Sequence, residues 1–317
     1  MQVYIGLDNV KENLENTVLT LGVFDGIHLA HQEIMKRTTQ LATENEKESL
    51  CLTFNPHPQN ILDNESKILP ILTTVKEKIS ILENYDLSGL IFIDLTKRFM
   101  NLSAEEFVQK VLVNKFKVSD VVVGYNYTFG NDKEGTTDSL HKFGEKYGFN
   151  THIVSPIKYH NEVISSTLIR KLLQDGQVQK ANKLLGRPYC IRGKVGHGEK
   201  IGRNLGFPTA NIYIHEKEKL IPQNGVYFTS VIVEGDKYYG VSNVGIRPTF
   251  ERDEKEVEVH ILNLAQKNLY DKEVQLNFLE RMRDEIKFDN ADRLKQQINQ
   301  DKKIGLEKIK QYKNGGQ

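Results

Sequence analysis

The stretch Gly22-Val-Phe-Asp-Gly-Ile-His-Leu-Ala-His31 follows a β-rich run, Thr17–Gly22, and opens a helical pattern that continues from His28 to about Thr43. A strand that turns through glycines into a helix is typical of an α/β unit. His28 and His31 are about one turn apart, so they share one face of the helix. At the first turn of a helix, unpaired N–H groups and the helix dipole favour an anion, and phosphate is the natural ligand. An exposed helix end or a zinc pair fits the spacing of the two histidines as well.

Short β-rich runs alternate with helical patterns as far as about Leu185, and this alternation predicts a doubly wound parallel sheet. The predicted strands are Thr17–Gly22, Glu48–Phe54, Gly89–Asp94 and Ser119–Gly124. The predicted helices are His28–Thr43, Ser103–Lys115, Ser139–Tyr147, Ser166–Leu173 and Val178–Leu185.

After Gly186 the sequence changes to strand-like runs separated by Gly, Asn, Asp and Pro, a pattern that favours an antiparallel β-barrel. These runs are Tyr189–Val195, Ala210–Ile214, Val226–Val233, Tyr238–Val244, Val257–Leu264 and Val274–Phe278. A last helix is predicted from about Asn290, with Asp289 or Asn290 as its cap and Leu294 and Ile298 on its inner face. The predicted fold class is therefore α/β plus β, with a parallel-sheet domain over residues 1–185 and a β-barrel domain with a terminal helix over residues 186–317.

The bulk composition limits the classes of function. A chain of 317 residues favours two domains. Its 43 basic and 42 acidic residues give a net charge of +1, which provides no global field for a nucleic acid or an acidic membrane. The sequence shows neither a secretory signal nor an apolar run of ~20 residues, so a cytoplasmic protein with no membrane partner is expected. Cys51 and Cys190 fall in different predicted domains, and no disulfide is expected between them.

A second glycine-rich stretch, Gly202-Arg-Asn-Leu-Gly-Phe-Pro-Thr-Ala-Asn211, is preceded by Gly198 and Lys200. Its glycines and basic residues suit a loop that wraps phosphates, although a glycine-rich hairpin fits the same composition. Thr209 and Asn211 are two residues apart, so on a strand they would offer two neutral oxygens to Mg²⁺ on one face. In Val257–Ile261 the alternation places Glu258 on the side away from the apolar residues, where a solvated strand face is the simpler interpretation.

The first stretch resembles the HxGH signature of nucleotidylyltransferases, in the form used by prokaryotic FAD synthetases. Three more blocks follow in that family's order: Thr53-Phe-Asn-Pro-His-Pro58, Val123-Gly-Tyr-Asn-Tyr-Thr-Phe-Gly130 and Ile164-Ser-Ser-Thr-Leu-Ile-Arg170. The second half resembles riboflavin kinases in Gly202–Asn211, in Gly240-Val-Ser-Asn-Val-Gly-Ile-Arg-Pro-Thr-Phe250, in Val257-Glu-Val-His260 and in Arg283-Asp-Glu-Ile-Lys-Phe288. The resemblance extends from about Thr17 to Asp301.

The resemblance implies two reactions: phosphorylation of riboflavin to FMN in the barrel, and adenylylation of FMN to FAD in the parallel-sheet domain. For adenylylation it implies ATP contacts at Gly22, Phe24, His28, His31, Asn126, Ser166, Thr167 and Arg170, with His28 and His31 catalytic. For phosphorylation it implies ATP contacts at Gly198, Lys200, Gly202, Arg203, Thr209 and Asn211, with Mg²⁺ on Thr209 and Asn211 and with Glu258 as the general base. The expected flavin contacts are Arg283, Phe54 and Tyr125, although the two aromatic residues are equally compatible with core positions.

Two positions depart from the family pattern. Ala30 stands where the family usually has Gly, and Asn126 stands where it often has Asp. A methyl group beside the histidines would slow adenylylation, so a chain that acts chiefly as a riboflavin kinase is one alternative. A flavin-sensing regulator is another. The expected partners are riboflavin, FMN and ATP, with no nucleic acid, and the expected state is a monomer or a weak homo-oligomer.

Overall fold

The computed structural model describes residues 1–11, 14–62, 68–196, 207–248, 253–264 and 268–314. The chain packs into two compact units, Met1–Ser166 and Thr167–Gln317. The predicted boundary between residues 185 and 186 refers to the two functional domains and not to these packing units. It stays a prediction. Gly198, Lys200, Gly202 and Arg203, predicted to contact ATP, lie outside the described residues.

The first unit is built on a six-stranded parallel sheet, which confirms the predicted α/β architecture. Its strands are β1 Gln2–Ile5, β2 Thr17–Leu21, β3 Ser49–Phe54, β4 Gly89–Ile93, β5 Val118–Gly124 and β6 Asn150–Val154. The four predicted strands are the inner ones, whose apolar runs are buried on both faces as a parallel sheet requires. The outer strands β1 and β6 carry exposed positions. They therefore lack the continuous apolar run by which the inner strands were predicted from the sequence.

The helices of the first unit cover the sheet and the loops that follow its strands. They are α1 Leu29–Glu44, α2 Pro58–Leu62, α3 Val75–Leu82, α4 Lys97–Met100, α5 Ala104–Phe107 and α6 Thr137–Tyr147. Short 3₁₀ turns occur at Leu7–Asn9, Glu83–Tyr85 and Asn131–Lys133, and a small hairpin pairs β7 Lys158–Tyr159 with β8 Glu162–Val163. The helix predicted over Ser103–Lys115 begins as α5 and continues as a wider π-helix over Val108–Lys115.

The strand order β1-β4-β3-β2-β5-β6 determines where a ligand can bind. From β2 the chain proceeds to β3 on one side, whereas β5 and β6 lie on the other side. Loops that leave neighbouring strands in opposite directions open a crevice at the carboxyl ends of those strands. The stretch that begins at Gly22 follows β2, and the stretch that begins at Tyr125 follows β5, so two of the recognised blocks flank this crevice.

The second unit is a closed six-stranded barrel in the order β10-β13-β12-β11-β14-β9, which confirms the predicted antiparallel barrel. Its strands are β9 Tyr189–Gly196, β10 Ala210–Tyr213, β11 Gly225–Val233, β12 Asp236–Pro248, β13 Asp253–Leu262 and β14 Glu273–Arg283. The rings of Tyr189 and Tyr227 pack against Phe278 in its interior, at centroid distances of 6.4 and 5.2 Å. Two helices precede the barrel, α7 Ser166–Gln174 and α8 Val178–Leu185.

A terminal helix, α9 Ala291–Asn314, packs on the outside of the barrel. Its cap is Asn290, whose Oδ1 accepts the backbone N–H of Arg293 at 2.9 Å, as predicted. Leu294 and Ile298 are half-buried, while the most buried positions of the helix are Asp301 and Gly305. A methyl group on Gly305 would lie 2.9 Å from the side chain of Leu262, so the glycine permits close approach of helix and barrel. Both cysteines are free, as expected.

Candidate functional sites

The loop Gly22–His28 has an unusual backbone. Phe24 and Ile27 have φ values of 46° and 40°, in the left-handed region that costs a side chain with a Cβ about 1–2 kcal/mol. Both side chains are buried, and a Cβ on Gly22 would lie 2.9 Å from the ring of Phe24. Such strain persists only where the surroundings over-determine the conformation, and it is concentrated at functional sites.

Buried polar contacts hold this loop. The carboxylate of Asp25 accepts the backbone N–H groups of Leu72 and Thr73 at 2.9 Å each, and also the Thr73 hydroxyl at 3.1 Å. The Thr73 hydroxyl in turn accepts the N–H of Gly26 at 3.0 Å. The loop is therefore tied to a neighbouring segment by charge-assisted hydrogen bonds, which are stronger than neutral ones.

The paired histidines lie at the start of α1, where the sequence predicted them. His28 is the N-cap and its Nδ1 accepts the backbone N–H of His31 at 3.4 Å, so in a neutral His28 ring the proton resides on Nε2. The two rings stack with centroids 3.6 Å apart, and Phe24 packs edge-on against His31 at 5.2 Å. The first turn of α1 carries no acidic residue, so the positive end of its dipole is unopposed within the helix. This arrangement suits an anion.

The other predicted residues of the first site lie on three elements. Asn126 is exposed just beyond β5, and Tyr125 beside it is 44% exposed and accessible to a ligand. Phe54 ends β3 and is half-buried against the ring of Phe99, at 6.4 Å. Ser166 begins α7 and donates its hydroxyl hydrogen to the carbonyl of Asp25 at 2.8 Å, so it contacts the same loop. Farther along α7, Thr167 is exposed and Arg170 is buried.

In the barrel, two of the predicted residues, Asn211 and Glu258, lie in one row across adjacent strands. Asn211 of β10 pairs directly with Glu258 of β13, and Glu258 pairs with Asn243 of β12. Directly paired residues of neighbouring strands project from the same face, here the outer face of the barrel. Val257 and Val259 point into the core instead, as the alternation predicted.

Asn211 is the centre of this row. It is only 5% exposed, and its amide nitrogen, directed at two carboxylates, donates to Glu256 Oε1 at 2.9 Å and to Glu258 Oε1 at 2.8 Å. An amide oxygen in that position would face only acceptors, so the nitrogen takes it. Both amide hydrogens are then used, and the oxygen Oδ1 is held in the opposite direction.

The segment before β10 is held from the neighbouring strand. The Nδ1 of His260 lies 2.9 Å from the carbonyl oxygen of Pro208, to which it donates, and the ring packs edge-on against Phe207 at 5.9 Å. Thr209 follows Pro208 directly and is half-buried. One strand, β13, thus carries the predicted base and also a residue that fixes the approach to Thr209 and Asn211.

Arg283, predicted to contact flavin, ends β14 and binds the terminal helix. Its Nε donates to Oδ1 of Asp301 at 3.0 Å and one terminal nitrogen donates to Oδ2 at 2.6 Å, while the other donates to the carbonyl of Asp284 at 2.8 Å. This bidentate, largely buried ion pair attaches α9 to the barrel. A flavin contact at Arg283 stays a prediction.

Several residues at these sites were not assigned by the sequence reasoning. Glu256 shares a strand face with Glu258 and His260, so the alternation of charged residues in β13 was a usable signal. Lys78, which contacts the loop of the first site, gave a weaker signal: it lies on the face of α3 that also carries Val75 and Leu82. Asp25 was noted in the sequence only as a residue of the stretch Gly22–His31, and its role in holding the loop was not predicted.

Among the described residues, no helix is long and apolar enough to span a bilayer. No group of three or more His, Cys, Asp or Glu residues arranged to hold a metal ion occurs within those ranges either.

Comparisons with known proteins agree with the two-unit organisation. A family model described as FAD synthetase matches residues 10–168, and one described as riboflavin kinase matches residues 185–308. A protein of Buchnera aphidicola subsp. Schizaphis graminum named bifunctional riboflavin kinase/FMN adenylyltransferase is 33% identical over 99% of both chains. A Listeria monocytogenes protein of the same name is 36% identical over 90% of each chain.

Among solved structures, a Streptococcus pneumoniae protein named macrolide-efflux protein has 31% identity and a TM-score of 0.88, covering 96% of this chain and 99% of its own. The fold is therefore shared along almost the whole length. Both family models match in the order of the two units, and the curated relatives match nearly from end to end. The chain belongs to the family of bifunctional riboflavin kinase/FMN adenylyltransferases.

Proposed function

We propose that this chain makes FMN and then FAD at two separate sites. The barrel transfers the γ-phosphoryl group of ATP to the 5′-hydroxyl of riboflavin, and the parallel-sheet domain transfers the adenylyl group of a second ATP to the phosphate of FMN. The observation that supports the proposal is that each half brings together its own predicted residues, Asn211 and Glu258 in one row on the barrel and the His28–His31 pair at the start of α1.

At the kinase site, Glu258 accepts the proton of the ribityl 5′-hydroxyl as that oxygen attacks the γ-phosphorus and ADP leaves. A positioned base of this kind contributes about 10²–10⁴ to the rate. The hydrogen bond from Asn211 holds Oε1 of Glu258 in a fixed position. We assign Gly198, Lys200, Gly202 and Arg203 to the phosphates of ATP and Arg283 to the flavin.

Thr209 and Asn211 are suited to Mg²⁺ because they supply a hydroxyl and an amide oxygen, the hard neutral ligands that this ion accepts beside phosphate oxygens. The hydrogen bonds of Asn211 to Glu256 and Glu258 direct its oxygen away from the carboxylates. When bound, Mg²⁺ neutralises charge on the transferred phosphoryl group. Glu258, in the same row, accepts the proton of the riboflavin 5′-hydroxyl.

At the adenylylation site, a phosphate oxygen of FMN attacks the α-phosphorus of ATP, the bond to the β-phosphate breaks, and pyrophosphate leaves. The amides of Leu29 and Ala30 precede the first intrahelical hydrogen bond of α1, from the N–H of Gln32 to the carbonyl of His28. With the positive end of the α1 dipole, these amides stabilise developing negative charge, and we assign His28 beside them to the phosphates of ATP as a catalytic residue. We assign His31, Gly22, Phe24 and Asn126 to the nucleotide, Ser166, Thr167 and Arg170 to the departing phosphates, and Tyr125 and Phe54 to the flavin.

We further propose that residues 1–185 form the adenylyltransferase domain and residues 186–317 the kinase domain. The protein is proposed to act in the cytoplasm on riboflavin, FMN and ATP, as a monomer or weak homo-oligomer.

Time-resolved chromatography of riboflavin, FMN and FAD tests the proposal. With riboflavin and ATP, wild type forms FMN and then FAD, His28→Ala accumulates FMN, and Glu258→Gln forms neither. Supplied with FMN instead, Glu258→Gln still makes FAD at the wild-type rate. Loss of both activities in either folded variant would contradict two separate sites.

A further inference from the structure

Lys78 is a buried lysine that none of the recognised motifs contains. It lies on α3 between Val75 and Leu82, on the face that packs against the sheet, and only 5% of it is exposed. Burial of an ammonium group is costly unless it is paired and hydrogen-bonded. The chain therefore maintains a charge where an apolar side chain of similar length would fill the space.

The contacts of Lys78 converge on the loop of the first site. Its Nζ donates to the carbonyl oxygen of Val23 at 2.7 Å and to the hydroxyl oxygen of Thr53 at 2.9 Å. The Thr53 hydroxyl donates to the same carbonyl of Val23 at 2.9 Å. Val23 precedes the strained Phe24, and Thr53 lies near the end of β3, so the three groups form a triangle that fixes the loop against the sheet.

Three side chains from different elements lie around this ammonium. Asp25 lies in the loop, Cys51 lies on β3, and the ring of Phe92 on β4 has its centroid 5.8 Å from Nζ. Asp25 is already hydrogen-bonded to the segment around Thr73. The loop therefore has one anchor on each side: Asp25 to the segment before α3, and the Val23 carbonyl to Lys78.

We propose that Lys78 is a positioning residue for adenylyl transfer: its ammonium group holds the carbonyl of Val23, so that the loop Gly22–His28 keeps the strained conformation that presents His28 and the start of α1 to phosphate. This inference rests on the proposed adenylyltransferase function. Lys78 acts through the loop and touches no reacting atom.

The role of Lys78 can also be tested in the wild type, through the pH dependence of adenylyl transfer. Burial lowers the pKa of Lys78 to about 8, with Asp25 and Cys51 acting in the opposite direction. Burial also raises the pKa of the Cys51 thiol to about 12, so this neighbour stays neutral in the same range. Adenylyl transfer by the wild type should therefore decline as the pH rises through about 8, when the ammonium loses its proton, while riboflavin phosphorylation by the same molecules lacks this decline.

Lys78→Met tests the proposal directly, with Lys76→Met, at an exposed position of the same helix, as the matched control. The Thr53 hydroxyl still donates to Val23 in the variant and the Met side chain fills the space of the lysine stem, so the variant is expected to fold. We expect kcat/KM for ATP in FMN adenylylation to fall roughly ten- to hundredfold, since small misplacements at a reacting site have effects of that size. Riboflavin phosphorylation should stay within about twofold, the alkaline decline should disappear, and Lys76→Met should behave as wild type.

Three results would overturn the inference: adenylylation by Lys78→Met close to that of wild type, an equal loss of both activities, or a wild-type pH profile with no decline specific to adenylylation. If Lys78→Met does not fold, the wild-type pH profile decides alone. A wild type that makes no FAD would refute the proposed function itself, and the two failures are thereby distinguished.

Discussion

Asp120 carries a stability prediction whose size follows from the structure. It begins the buried part of β5, at the end of the strand away from the loop that follows Gly124, and it is only 4% exposed. Its carboxylate accepts hydrogen bonds from Lys47 Nζ at 3.0 Å, Ser119 Oγ at 2.9 Å and Asn150 Nδ2 at 3.2 Å, and lies 2.9 Å from His152 Nε2. This cluster joins the turn between α1 and β3 to strands β5 and β6.

The pKa of Asp120 indicates how much the cluster contributes to the stability of the first unit. Burial alone would raise that pKa, but the hydrogen bonds from His152, Lys47, Ser119 and Asn150 lower it from 3.8 to about 2. At about 1.4 kcal/mol per pKa unit, the ionised carboxylate stabilises the folded first unit by roughly 2–3 kcal/mol. Because the folded-state pKa lies below the unfolded one, this contribution is fully present above about pH 4 and is lost as the pH falls towards 2.

Asp120→Asn should therefore lower the free energy of unfolding of the first unit by roughly 2–3 kcal/mol at pH 7, or roughly 5–10 °C in Tm for a unit of this size. Heat inactivation of FMN adenylylation reports on this unit, with riboflavin phosphorylation in the same sample as the control, and circular dichroism gives the unfolding midpoint at several pH values. The difference between variant and wild type should shrink as the pH falls from 4 to 2. A difference that is absent at pH 7, or constant down to pH 2, would refute the reasoning.

Two further predictions concern the active sites. Ala30→Gly should leave folding intact and raise kcat/KM for FMN adenylylation, by about fivefold or more if the methyl costs ~1–3 kcal/mol in the transition state; steady-state kinetics showing an unchanged or lower value would contradict this. His260→Phe removes the hydrogen bond to Pro208 at 2.9 Å but keeps a ring beside Phe207. It should weaken riboflavin phosphorylation about fivefold, for a hydrogen bond of about 1 kcal/mol, whereas His260→Asn, which retains a donor, should lose less. Equal losses in the two variants would speak against this role.

The sequence predicted the inner strands of the sheet because their apolar runs are long and buried, and it predicted the barrel because its strands are separated by turn residues. It did not predict β1 and β6, because strands at the edge of the sheet have exposed positions and so lack a continuous apolar run. It did not predict α3 either. Where a motif placed residues by spacing alone, as with His28 and His31, the structure brings them together.

Tertiary contacts were less accessible from the sequence. Asn211 and Glu258 are 47 residues apart in the chain, and only the barrel register makes them neighbours. Lys78 is similar, because a lysine in a helix is ordinarily a surface residue, and only the packing of α3 on the sheet directs its ammonium to Val23. The ion pair of Arg283 with Asp301, 18 residues farther along the chain, was likewise not apparent from the sequence, and a flavin contact at Arg283 stays a prediction.

The most direct test of two consecutive sites on one chain is a complementation assay with two single variants. His28→Ala and Glu258→Gln are each incubated with riboflavin and ATP, alone and mixed, and riboflavin, FMN and FAD are separated over time. We predict that neither variant alone forms FAD, and that the mixture does, because FMN released by His28→Ala is adenylylated by Glu258→Gln. Formation of FAD from riboflavin by either variant alone, or none in the mixture, would contradict the account.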